Sequence, residues 1–80
     1  MISRIEHYRI LRRDIAFLRH IVEACEGLAF VRTVDPRAGV VAVHVPPGRE
    51  TEAGELMRGL AKVLALEPLS AADAGEGVHG

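Results

Sequence analysis

Hydrophobic positions along the chain change period from stretch to stretch, and each change marks an element. From Ile15 to Cys25 the apolar residues Ile15, Leu18, Val22 and Cys25 recur three and four apart, which predicts an amphipathic helix. Asp14 is a favourable N-cap before it, and Gly27 supplies the left-handed residue after it. Phe17, Ile21 and Ala24 widen the apolar stripe to about half the circumference, more than a surface helix needs. Between Ala29 and Gly48 the period falls to two. Two β-branched runs flank Asp35-Pro36-Arg37-Ala38-Gly39, a hairpin in which Pro36 sets the turn and Gly39 the positive φ. Pro46-Pro47-Gly48 stops the second run, because neither proline can donate to a ladder. A helical rhythm returns from about Arg49 to Ala65, carried by Ala53, Leu56, Met57, Leu60, Ala61 and Leu64. Gly54 and Gly59 each weaken it by ~1 kcal/mol relative to Ala, a cost that a close approach to a neighbouring element would explain.

The two ends are less regular. Residues 2–11 contain strand formers without clean alternation, and a strand with Tyr8 and Ile10 facing inward fits them best. Leu66 to Leu69 reads as a short last strand, which Pro68 confines to an edge. The order strand, helix, strand, strand, helix, short strand predicts an α+β fold: a ferredoxin-like βαββα(β) sandwich, an antiparallel sheet with two helices on one face. Strands one and three are then central and antiparallel neighbours. Residues 1–69 form the domain, and 70–80, without periodicity or large apolar content, a disordered tail. With a four-residue loop Asp35 opposes Val40, which places Phe30, Arg32 and Val34 on the inner face with Val41, Val43 and Val45. Arg32 is a misfit there, and a bulge would resolve it. The same parity leaves Val31, Thr33, Val40, Ala42 and His44 on the open face, beside Ile5 and His7.

Composition narrows the possible roles. Eighty residues with 49% hydrophobic and 26% charged content and a formal net charge of -1 describe one soluble domain with a thin core. The basic excess of a general nucleic-acid binder is missing. No apolar run reaches the ~20 residues of a membrane span, and the charged start MISRIEHYR is unlike a signal peptide. The expectation is a cytoplasmic protein that binds neither membrane nor nucleic acid. Cys25 is the only cysteine, so one chain can form no internal disulfide.

The stretches RRDIAFLRHIVEACEGLAFVRTVD and VPPGRE resemble a family of short bacterial domains of unknown function, over about residues 4–69. No activity travels with that resemblance. More distantly, the strand and helix order is similar to the ACT domain, a regulatory module whose paired copies bind small molecules, often amino acids. That likeness implies a ligand near the loop between the first strand and first helix, here Leu11-Arg12-Arg13-Asp14.

Candidate chemistry is sparse. The topology brings Arg12, Arg13, Asp14 and Arg37 near the start of the first helix, whose free amides favour a phosphate or carboxylate. The plainer reading has Asp14 capping the helix and pairing with an arginine. His7 and His44 fall on neighbouring strands, where two imidazoles hold a metal only with further ligands; histidines in a sheet-face contact are the simpler assignment. No nucleophile lies beside a base and no glycine-rich phosphate loop is present, so no enzyme activity and no cofactor are expected. An acylphosphatase-like site would require an asparagine and a copper-carrier loop paired cysteines, and the chain has neither. Base stacking on the central strands would have only Tyr8. The reading that remains is a small self-associating regulatory or scaffold module, a homodimer meeting through Phe17, Ile21, Val31, Val40, Ala42 and His44. The alternative is a sensor that binds a small anionic metabolite at a subunit junction.

Overall fold

The computed structural model describes residues 4–75. Its elements are β1 (Arg4–Arg9), a 3-10 turn (Arg12–Asp14), α1 (Ile15–Ala24), β2 (Phe30–Asp35), β3 (Val40–Val45), α2 (Glu50–Leu60) and β4 (Glu67–Leu69). The strands form one antiparallel sheet in the order β2-β3-β1-β4. This is a ferredoxin-like arrangement, with β1 and β3 at the centre as the sequence predicts.

One face of the sheet meets both helices. Leu18 and Val22 of α1, and Ala53, Met57 and Leu60 of α2, pack with Val31, Val41, Val43 and Val45 in a single core. Ile10 joins that core and Tyr8 packs against it, so β1 turns the expected side inward. Cys25 is half-buried against the same cluster.

Gly39 fixes the hairpin to the end of β1. Its φ is +72°, and a Cβ there would run into the Ile10 carbonyl oxygen. The Ile10 amide donates to the Gly39 carbonyl at 2.8 Å, so any side chain would break this junction as well as strain the turn. Asp35 completes the loop by accepting from the amides of Arg37 and Ala38 at 3.0 and 3.1 Å, the local geometry that makes Asp a turn starter.

The parity of β2 differs from the sequence expectation. Asp35 opposes Val40 as predicted, but Thr33 pairs with Val41 and the register shifts between Thr33 and Asp35. Val34 is therefore an inserted residue, and every position before it swaps faces. Val31 goes into the core at 5% exposure, and Thr33 turns to the helices, where the Arg19 guanidinium donates to its hydroxyl at 2.8 Å. Phe30 and Arg32 move to the open face, paired with His44 and Ala42. The bulge spares the core a buried guanidinium.

Three further expectations are corrected. α2 ends at Leu60 rather than Ala65, because the amides of Lys62 and Val63 bond three residues back in a tightened turn that buries Leu64 and leaves Val63 73% exposed. Gly54 and Gly59 do not serve a close approach: a Cβ on Gly54 would meet only the Arg58 guanidinium at 3.9 Å, and one on Gly59 nothing within 4 Å. Residues 70–75 are not a loose tail. Ser70 accepts from the amides of Asp73, through its hydroxyl, and Ala74, through its carbonyl, both at 3.0 Å, and Ala74 is buried. Residues 76–80 of the predicted tail lie outside the described residues.

Candidate functional surface

The open face of the sheet is a grid set by the strand register. One row across it holds Phe30 of β2, His44 of β3 and Ile5 of β1; the next holds Arg32, Ala42, His7 and Leu69. Neighbours in a row lie about 5 Å apart, and alternation along each strand keeps both rows on this side. A third row joins Val40 to Arg9 and Glu67, with Arg9 bonded to the Glu67 carboxylate at 2.9 Å.

The first row is built around His44. Phe30 stacks on its imidazole, with ring centroids 4.6 Å apart and planes inclined by 13°. The Arg32 Nε–H points at Nε2 of the same ring at 3.4 Å. Phe30 and Ile5 at the two ends are each 46% exposed, an apolar pair held open on either side of a polar ring. The second row is lower and covered: Ala42 is fully buried and His7 is 8% exposed.

His7 and His44 do not face one another across the strands, since His7 opposes Ala42 and His44 opposes Ile5. Among the described residues no group of three or more His, Cys, Asp or Glu side chains is placed to hold a metal.

The basic end of the domain is assembled only in part. Arg12, Arg13, Ile15 and Pro36 line one shallow hollow, so the start of α1 and the hairpin turn do share an end of the sheet, but Arg37 is not among its walls. Asp14 makes no side-chain cap. Its amide bonds to the Leu11 carbonyl at 2.8 Å in the 3-10 turn, and its φ and ψ of -98° and -1° lie outside the extended region from which a capping carboxylate reaches back. A second cleft, of about 520 Å³, also has Arg12 in its wall and is lined by Ile10, Leu11 and Leu66 together with Arg9 and Glu67.

The expected interface residues fall on separate surfaces. Phe17 is 48% exposed on the helix layer and Ile21 is half-buried beside the core. Val40, Ala42 and His44 belong to the open sheet face, and Val31 to neither. Phe30 was missed as an open-face residue because its face depends on the one-residue insertion at Val34; the misfit of Arg32 was the signal that could have found it.

A second polar cluster lies at the margin of the helix side. The Tyr8 hydroxyl donates to Glu6 at 2.9 Å, and Arg4 approaches the other carboxylate oxygen at 3.3 Å. Burial, and then the hydrogen bond and charge of Glu6, hold the Tyr8 phenol well above the usual phenolic range, while Arg4 works weakly against them.

No helix among the described residues is long and apolar enough to cross a membrane. No curated protein and no solved structure matches the chain. A family profile described as Domain of unknown function (DUF4911) matches residues 8–63. That match takes in the first helix, the hairpin and the second helix, well over half of the chain, and the chain belongs to this family.

Proposed function

We propose that this domain is a non-catalytic module that associates with a second copy of itself through the open sheet face, in a regulatory or scaffold role. The observation that carries the reading is the Phe30, His44 and Ile5 row, whose two apolar ends are each 46% exposed. A two-fold axis parallel to β3 would set Phe30 of one copy on Ile5 of the other and bring the two His44 rings together. A closed dimer requires such self-complementarity. The row contains no carboxylate, lysine or arginine, so pairing sets none of these charges against its like. A domain of this length buries a modest share of its own surface, so pairing would add what the thin core lacks.

Sedimentation across a concentration series tests this. The parent chain is expected to reach twice the monomer mass, and Phe30→Glu and Ile5→Glu to stay monomeric with thermal unfolding little changed. A monomer at every concentration, or a dimer unaffected by both substitutions, refutes the reading.

The second reading, a sensor for a small anionic metabolite, draws on the cleft at the hairpin end. Its apolar lining and the guanidinium of Arg12 suit a carboxylate with an apolar body. Such a ligand would raise the unfolding temperature in proportion to its occupancy, and Arg12→Ala would abolish that rise.

A further inference from the structure

Two glycines lie within α2, and close packing explains neither, since a Cβ on Gly54 would meet only the Arg58 guanidinium at 3.9 Å and one on Gly59 nothing within 4 Å. Their surroundings differ. Gly54 lines a cavity of about 310 Å³ between α2 and β1, and Gly59 does not. Met57, Arg58 and Ala61 follow Gly54 at the three-, four- and seven-residue spacing of one helix face and line the same cavity. The β1 wall is Arg4, Glu6 and Tyr8, alternate residues on the helix side of that strand. Leu66 adds to the apolar lining.

The polar groups of this cavity are unequally engaged. Glu6 is occupied through both carboxylate oxygens, accepting from the Tyr8 hydroxyl at 2.9 Å and from Arg4 at 3.3 Å. Arg58 has no hydrogen-bond or ion-pair partner among the described residues. Its guanidinium lies back along the helix over the gap that Gly54 leaves, next to the buried Met57. An unpaired cation thus borders an apolar hollow, and the helix gives up propensity at position 54 where a side chain would fill that hollow.

We propose that this cavity is a binding site for a small organic carboxylate with an apolar body: Arg58 receives the carboxylate, Met57, Ala61 and Leu66 the body, and Gly54 keeps the space open. The volume is at the small end of ligand sites, which restricts the body to a single ring or a short chain. The Tyr8 phenol keeps its proton through burial and Glu6, so it sets no further negative charge against the ligand. The site lies on the helix side and is independent of association through the open sheet face. It is also distinct from the cleft at the hairpin end, with which it shares only Leu66.

Benzoate and hexanoate are the probes, titrated into the full chain with its methionine and alanine methyl groups labelled for nuclear magnetic resonance. Saturable shifts of the Met57 and Ala61 methyls are expected with at least one of the two. Inorganic phosphate, which has the charge without the apolar body, is expected to produce none. Arg58→Gln should weaken binding at least about tenfold, through loss of the charge-assisted hydrogen bonds, with the unfolding temperature unchanged. Gly54→Leu should abolish binding while raising the unfolding temperature, because leucine is the better helix former. Gly59→Leu, outside the cavity, should raise that temperature similarly and leave binding as in the parent chain. The proposal is overturned by the absence of shifts with both carboxylates, by equal binding of phosphate, or by binding that survives either Arg58→Gln or Gly54→Leu. Loss of binding that extends to Gly59→Leu would trace the effect to α2 as a whole and overturn the role of Gly54. Binding lost in Arg12→Ala but kept in Arg58→Gln would assign the ligand to the hairpin-end cleft and overturn this site.

Discussion

The two faces of the sheet come from the same strands and have opposite fates. On the helix side Val41, Val43 and Val45 are at most 1% exposed and meet apolar residues of both helices. On the other side the residues between them, Ala42 and His44, share the surface with Phe30, Arg32, Ile5 and His7. β3 is apolar on both faces apart from His44, the composition of a strand covered on both sides rather than one facing water. The helix side is finished by the domain's own elements; the open side is buried at Ala42 and His7 and left exposed at the Phe30 and Ile5 flanks. The difference separates residues that hold the fold from residues available for contact.

Leu18 provides the sharpest contrast and the largest expected effect. It is fully buried at the centre of the helix side, so Leu18→Ala should cost ~2–5 kcal/mol through lost transfer energy and the cavity left behind. A domain of this length has a total stability on the order of 4–12 kcal/mol, and the loss would be a large part of it. Urea unfolding measures this as a lower midpoint at constant slope. A cost below about 1 kcal/mol would mean that the helix side is loosely packed and that the two faces are less different than their burial implies.

The next effect lies at the border between the faces, where Tyr8 packs on the core while its hydroxyl meets Glu6. Tyr8→Phe removes that hydrogen bond and should cost about 0.5–1.5 kcal/mol near neutral pH. The pH dependence has a definite sign. The folded state holds the phenolic proton more tightly than the unfolded chain does, because burial and Glu6 raise the pKa. Its stabilising contribution is thus complete below the unfolded phenol's pKa of about 10 and is lost as pH rises above it. The stability gap between the parent chain and Tyr8→Phe should therefore narrow above pH 10, as followed by denaturant midpoints. A gap that widens there would place Tyr8 in a different environment.

How far these faces were legible in the sequence follows from where the pattern was redundant. Helical spacing in α1, the Asp35-Pro36 turn start, the need for glycine at position 39 and the inward side of β1 each rested on several residues, and each matches the structure. The face of β2 rested on counting from the hairpin turn, so one inserted residue at Val34 reversed it. In a run such as Phe-Val-Arg-Thr-Val-Asp every residue suits a strand, and nothing local marks the insertion. The end of α2 escaped because the burial of Leu64, a tertiary contact, decides where the helix tightens. The turn after β4 did carry a local signal, Ser70 three residues before Asp73, which resembles a capping pattern but stood in a stretch without periodicity or large apolar content. Of the candidate surface, His44, His7, Ile5 and Ala42 were legible from β1 and β3, whereas the stacking of Phe30 on His44 became visible only with the bulge.

A third effect on stability, small like that of Tyr8→Phe, tests the open face directly. Phe30 is as large as any core residue, but at 46% exposure much of its ring is already in water, and its removal leaves a dent in the surface rather than a cavity. Phe30→Ala gives up part of an apolar contact and the stacking on His44, the latter worth about 0.5–1.5 kcal/mol in a buried pair and less at a surface. A total near 1 kcal/mol is expected, several-fold below that of Leu18→Ala, and it is read from the urea midpoint of the monomer at low concentration. The same substitution should weaken self-association far more than it weakens folding, because the ring's exposed half is what a second copy would cover. A stability loss equal to that of Leu18→Ala would show that Phe30 belongs to a second core rather than to a surface. Equal losses in folding and association would remove the distinction between the two faces on which the proposed contact depends.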